Sequence, residues 1–164
     1  MKRLATAVMA LALGASAAAR AESILVLNSE EASYSVLDRA TRTEIARYPI
    51  GREPHHLIPT PDGKEVLIAS TVTNELVGLD IKTAERRRVV KDIIDPYQLA
   101  YSPDAKWFVT TAYRLDHIDI YKADGFKLAS RIFIDGMPSH LIFDSESKTV
   151  FVTLQQSGRV TAID

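Results

Sequence analysis

Proline recurs at Pro54, Pro96 and Pro138, 42 residues apart each time, and leucine follows three positions later at Leu57, Leu99 and Leu141. A fixed period of this length is the strongest constraint in the sequence. It requires one supersecondary unit to be stacked on copies of itself, so that each repeat buries its apolar faces against its neighbours. Other columns keep the same register without a gap. Pro61-Asp62-Gly63-Lys64 returns as Pro103-Asp104-Ala105-Lys106 and, more weakly, as Ser145-Glu146-Ser147-Lys148. Asp38, Asp80 and Asp164 share a column in which Lys122 is the exception, preceded by Leu37, Leu79, Ile163 and Tyr121. Short runs of β-forming residues at 24–27, 66–69, 108–111 and 150–153 fill another.

Within one period the pattern predicts four strands, a to d. Leu57 to Pro59 leads into a Pro-Asp-Gly hairpin turn and then into Glu65 to Ser70. Polar residues 71–75 interrupt, Leu76 to Asp80 resumes, and Arg87 to Lys91 forms the fourth run. After residue 21 no segment sustains apolar spacing at i, i+3 and i+4, so no helix is expected. Units of about 40–45 residues holding four antiparallel strands are the signature of propeller blades. The expected fold is therefore all-β, a β-propeller of four-stranded antiparallel blades.

The residues that carry this pattern also carry a family resemblance. Pro-His-His-Leu at 54–57, Pro-Asp-Gly-Lys at 61–64, Phe-Val-Thr at 108–110 and 151–153, and the terminal Val-Thr-Ala-Ile-Asp resemble the YVTN-type propeller repeat, to which YncE-like periplasmic proteins belong. More distantly the chain resembles the d-type-haem propellers. The resemblance spans residues 23–164 and implies a fold more than an activity, since one propeller scaffold hosts many functions. The first strand, at Ile24, falls in the b column, and Asp164 ends a c strand. The order b-c-d, a-b-c-d, a-b-c-d, a-b-c amounts to about 3.4 blades over residues 22–164, an open, incomplete ring. The expectation is the N-terminal part of a longer frame, truncated at 164. The alternative is a half-propeller that dimerises through its open edges. Missing blades or a second copy would be needed to close the ring.

The first residues read as an address. Met1-Lys2-Arg3 is basic, Leu4 to Ala19 is an uncharged Ala- and Leu-rich run too short to span a bilayer, and Ala19-Arg20-Ala21 fits a small-x-small cleavage site. Residues 1–21 are thus expected to be a signal peptide that sends the chain to the periplasm, with no transmembrane anchor left after cleavage. Losing Lys2, Arg3 and Arg20 from the 20 basic residues leaves 17 against 21 acidic ones, a balance of −4. Nucleic acid is not an expected partner of such a surface. The chain has no cysteine, which excludes disulfides, thiolate metal sites, a thiol nucleophile and covalently attached c-type haem.

In a blade the d-to-a and b-to-c connections share one face, at the mouth of the central channel. Arg52, His55, His56, Tyr97, Gln98, Ser139 and His140 are assigned to the first set, and Arg114, Asp116 and His117 to the second, so all four histidines gather on that face. His56, Gln98 and His140 hold one repeat position and are expected to point toward the channel. Imidazole suits a metal ion or haem iron, so His56, His140, Gln98 and His55 are candidate cofactor residues, for which haem or a metal ion would qualify. Equally, a polar side chain at that position serves to satisfy buried backbone groups. Arg52, Tyr97, Arg114 and His117 are candidates for a partner or ligand face. No nucleophile stands beside a positioned base, so no catalytic residue is assigned. Trp107 reads as packing and Arg86-Arg87-Arg88 as a solvated edge. The expected function is a non-catalytic binding or assembly platform for a protein or small periplasmic ligand. The alternative is a redox, haem- or metal-handling accessory of a periplasmic dehydrogenase or nitrite-reduction-like system.

Overall fold

The computed structural model describes residues 22–164, so the expected leader at 1–21 lies outside the described residues. All regular structure among these residues is β, in four antiparallel sheets, and no helix is long and apolar enough to cross a membrane. The first sheet holds β1 (Ser23–Asn28), β2 (Ser33–Asp38) and β3 (Glu44–Pro49). The second holds β4 (Pro54–Pro59), β5 (Glu65–Ser70), β6 (Glu75–Asp80) and β7 (Arg86–Lys91). The third repeats it with β8 (Pro96–Tyr101), β9 (Trp107–Ala112), β10 (His117–Lys122) and β11 (Lys127–Phe133). β12 (Pro138–Phe143), β13 (Val150–Leu154) and β14 (Arg159–Ile163) make the fourth. These are propeller blades in the expected strand order, forming an open arc with β4, β8 and β12 side by side along its inner rim.

The even period explains how the blades pack. Side chains alternate between the two faces of a strand, so residues 42 apart face the same way in successive blades. Leu67, Ala69 and Leu76 turn toward blade 3 and meet Leu99, Phe108, Tyr121 and Phe126. Their strand neighbours Ile68, Val77 and Leu79 turn back toward Tyr34 and Val36 of blade 1. Val109 and Ile118 repeat the forward contact against Val150 and Val152 of blade 4. Each central blade is thus apolar on both faces, and the core consists of three interblade layers. A buried charge sits in the second layer. Asp119, with no exposed surface, accepts from Arg131 Nε (2.7 Å) and Nη2 (2.8 Å) and from the Tyr121 hydroxyl (2.9 Å), so its lone pairs are well used.

The inner strands begin earlier than sequence patterning suggests, at the column prolines. Proline is tolerated there because the inner strand pairs on one side only, and its missing N–H removes no ladder bond on the channel side. Each a-to-b turn is tied by its own side chains. Asp62 Oδ1 accepts from Thr60 Oγ1 (2.7 Å) and Lys64 N (3.1 Å), and Asp104 Oδ1 repeats both bonds with Ser102 Oγ (2.7 Å) and Lys106 N (3.1 Å). The residue after the turn's acidic residue has positive φ in all three copies: 67° at Gly63, 57° at Ala105 and 62° at Ser147. Blade 4 has three strands among the described residues. A cavity of about 370 Å³, lined by Ile120, Ile132, Phe143, Val150 and Ile163, lies beside the outer edge of β14, where blades 2 and 3 carry a fourth strand.

Ala105 occupies a left-handed conformation that costs a side-chain-bearing residue about 1 kcal/mol or more. Glycine relieves that strain but gains unfolded-state entropy, so Ala105→Gly should stabilise the chain by about 0.5–1 kcal/mol. Thermal melts should then rise by roughly 1–4 °C. An unchanged or lowered midpoint would show that the turn is not strained.

Candidate functional site at the channel mouth

The mouth is built by a bulge repeated at the start of each inner strand. Pairing slips between Pro54 and His56, between Pro96 and Gln98, and between Pro138 and Leu141. A bulge leaves one residue unpaired and re-aims its side chain. The bulge places His55 and Tyr97, one repeat apart, at the rim. Their rings stack with centroids 3.8 Å apart, and Tyr97 stacks in turn on Tyr113 of the following b-to-c turn at 4.6 Å. A continuous three-ring stack therefore bridges blades 2 and 3, with His55 at its exposed end. The counterpart in blade 4 is Ser139, buried and bonded to Thr153 Oγ1 at 2.9 Å.

Backbone groups freed at the bulges are met by threonines of the second strands. Gln98 N donates to Thr111 Oγ1 (3.2 Å) and His140 N to Thr153 Oγ1 (3.1 Å). Side chains of each blade also bond to the inner strand of the next. Ser29 Oγ donates to Pro54 O (2.6 Å), His55 Nδ1 to Tyr97 O (2.9 Å) and Thr111 Oγ1 to Ser139 O (2.7 Å), while Leu99 N donates to His56 Nδ1 (3.3 Å). These bonds fix the two adjacent histidines in opposite tautomers. The carbonyl partner requires a proton on His55 Nδ1, leaving its Nε2 lone pair free. The amide partner requires a lone pair on His56 Nδ1, leaving its Nε2 as an N–H donor.

Beside the stack lies an ion cluster that sequence reading divided between a candidate and two unmarked residues. Arg114 donates to the buried Asp95 carboxylate through Nη2 (2.7 Å), Nε (3.1 Å) and its backbone N (2.8 Å), and through Nη1 to Glu53 Oε2 (2.8 Å). Thr71 Oγ1 adds a bond to the same Glu53 oxygen at 3.1 Å. Glu53 and Asp95 each immediately precede a column proline, a signal in the period that could have found them. Nothing in the repeat marks Tyr113. Gly51 enters this region because it must be small: a Cβ there would lie 2.2 Å from Thr73 Oγ1 and 2.4 Å from Glu75 Oε1.

Several sequence assignments change. His55, His56, Tyr97, Gln98, Ser139 and His140 lie in the inner strands β4, β8 and β12, because strand pairing starts at the prolines. His56 is half-buried against β8 of the next blade. His117 opens β10 and is only 2% exposed, so it offers no partner surface. Its Nδ1 lies 3.3 Å from Leu115 O, its Nε2 faces Asp119 at 3.5 Å, and its ring meets Phe133 edge-on. His140 is exposed beside the bare face of blade 4, and Arg52 is exposed in the connection before β4. Trp107 packs under Lys122, whose Nζ sits 3.6 Å from the ring centroid. The three arginines of β7 each have a partner: Arg86 on Pro49 O, Arg87 on Asp80, and Arg88 on Glu65 and over the Phe126 ring. Among the described residues no group of three or more histidines and carboxylates is placed to hold a metal ion.

Burial, and then the charges of His55 and His140, lower the His56 pKa below its ordinary value of 6.5. The folded chain thus binds this proton less readily than the unfolded one. The stabilisation is complete above pH 6.5 and is lost as pH falls below it. Denaturant titrations should show His56→Gln losing less stability than the parent between neutral pH and about pH 5. Equal losses in both proteins would contradict this placement of His56.

No functionally curated protein matches the sequence. Among solved structures, hydrazine synthase of Kuenenia stuttgartiensis superposes with a TM-score of 0.70 at 19% identity, over 87% of this chain and 43% of that one. The dihydro-heme d1 dehydrogenase NirN, in complex with DHE, gives 0.63 at 18% identity, over 87% and 34%. The Cps50 (Swd1) propeller domain of Myceliophteria thermophila gives 0.68 at 13% identity, over 86% and 49%. The chain therefore spans less than half the length of each, and the likeness is one of fold. The profile of the YNCE-like beta-propeller family matches residues 3–164, nearly the whole chain, and the chain belongs to that family.

Proposed function

We propose that the chain is exported to the periplasm of a bacterium and serves there as a binding or assembly platform, without itself catalysing a reaction. Its mouth face would hold a protein partner or a small ligand. The observation that carries this reading is the His55–Tyr97–Tyr113 stack at the rim, next in sequence to the Arg114 that binds Asp95 and Glu53. Aromatic rings held this way present contact area at little entropic cost, as binding surfaces require. A photo-reactive residue at position 97 should cross-link a partner in periplasmic extracts, whereas one at position 124, on the opposite face, should not. Equal labelling at both positions, or at neither, would refute the mouth as the platform.

A second reading, haem or metal handling, is favoured by one feature. His55 presents a free Nε2 lone pair at the rim, which is the donor an iron or metal ion requires, whereas His56 has committed its lone pair to Leu99 N. NirN, whose structure contains DHE, shares the fold. An absorption band that develops on titration with haemin and is lost in His55→Ala would establish this reading. A featureless titration, unaltered by His55→Ala, would dismiss it.

A further inference from the structure

The charges of the described residues divide unevenly between the two rims. The connections at the mouth, residues 29–32, 50–53, 71–74, 92–95, 113–116, 134–137 and 155–158, hold seven acidic side chains and two basic ones, Arg52 and Arg114. The connections on the opposite face, residues 39–43, 60–64, 81–85, 102–106, 123–126 and 144–149, hold six of each. The acidic excess is therefore concentrated at the mouth. Pairing does not cancel it. Arg114 is spent between Glu53 and Asp95, Arg47 reaches Glu31 from β3, and Lys91 is engaged by Glu75. Glu30, Asp92 and Asp135 are exposed and have no basic partner among the described residues, opposed in these connections by Arg52 alone.

The aromatic stack shares this preference for positive charge. Tyr97 and Tyr113 carry negative π faces, to which cations are drawn. His55 adds an outward Nε2 lone pair, which accepts from an N–H donor. Ring faces, acceptors and carboxylates together suit an ammonium or a guanidinium. The three unpaired carboxylates stand in the b-to-c turn of blade 1 and in the connections from blade 2 to 3 and from blade 3 to 4. One small cation cannot meet all of them, whereas an extended chain with repeated charges can. We propose, resting on the mouth as the binding platform, that the partner held there is a lysine- or arginine-rich segment of another protein. Such a contact is steered by charge, so its affinity falls as ionic strength rises.

The test is fluorescence anisotropy of a labelled oligolysine peptide titrated with the full chain at low salt. The parent should bind, and added salt should weaken the complex. Glu30→Gln, Asp92→Asn and Asp135→Asn combined should lower affinity by about tenfold. Glu85→Gln, Asp124→Asn and Glu146→Gln combined remove the same charge from the opposite face and should leave affinity unchanged. Tyr97→Leu should lose roughly two- to fivefold, while Tyr97→Phe keeps the ring and binds as the parent does. Spermine, at matched charge, should compete poorly. A parent that does not bind the peptide overturns the proposal. So do equal losses in the two triple variants, full binding by Tyr97→Leu, or spermine that competes as well as the peptide. The platform itself is judged separately, since a partner of other chemistry cross-linked at position 97 would survive each of these results.

Discussion

A four-stranded blade cannot satisfy itself, and the rest of the structure follows from that constraint. Each central blade is apolar on both faces, so it needs a neighbour on each side to remove Leu67, Ile68, Phe108 and Val109 from water. Its inner strand pairs along one edge only, leaving backbone groups on the other that must find partners or face solvent. Both needs are met by the adjacent blades. Apolar columns fill the layers, and side chains from Ser29, His55, His56 and Thr111 take up exposed groups of the neighbouring inner strand. Stability and mouth geometry therefore share the same atoms.

This sharing shapes what the mouth offers chemically. The bulges release His55 and Tyr97 from the ladder and stack them, while the adjacent His56 is turned into the blade 2–3 junction. Two consecutive imidazoles thereby acquire opposite roles. One carries an outward lone pair and the other an N–H donor, and the choice is made by Tyr97 O and Leu99 N of the next blade. The histidine that looked like a cofactor ligand because of its repeat position is thus engaged in joining blades, and its less regular neighbour is the one left free.

Most of the fold was legible because a 42-residue period repeats strand order, turn chemistry and facing together. An even period keeps every column on one face, so apolar columns translate directly into interblade layers. Legibility failed where a local irregularity overrides the alternation. The bulges after Pro54, Pro96 and Pro138 have no residue signature beyond the proline, and they moved six candidates from loops into strands. His117 looked like a loop residue, but a strand boundary one position earlier than the repeat of Leu76 to Asp80 implies buried it beside Asp119. Positive φ at Ala32, Asn74, Asp116 and Gly158, again 42 apart, is a backbone column that side-chain identity conceals. Glu53 and Asp95 were readable from their place before the prolines, whereas Tyr113 belongs to no column.

The central claim is that inner-strand groups of one blade set the chemistry of the histidines on the blade before it. Long-range ¹H–¹⁵N spectra of the imidazole rings, recorded above the pH at which they protonate, test this most directly. The structure predicts a proton on Nδ1 of His55 and on Nε2 of His56, with the pattern at His55 unchanged by substitution of its own neighbour, His56→Gln. The same tautomer in both rings, or His56 protonated at Nδ1, would contradict the account.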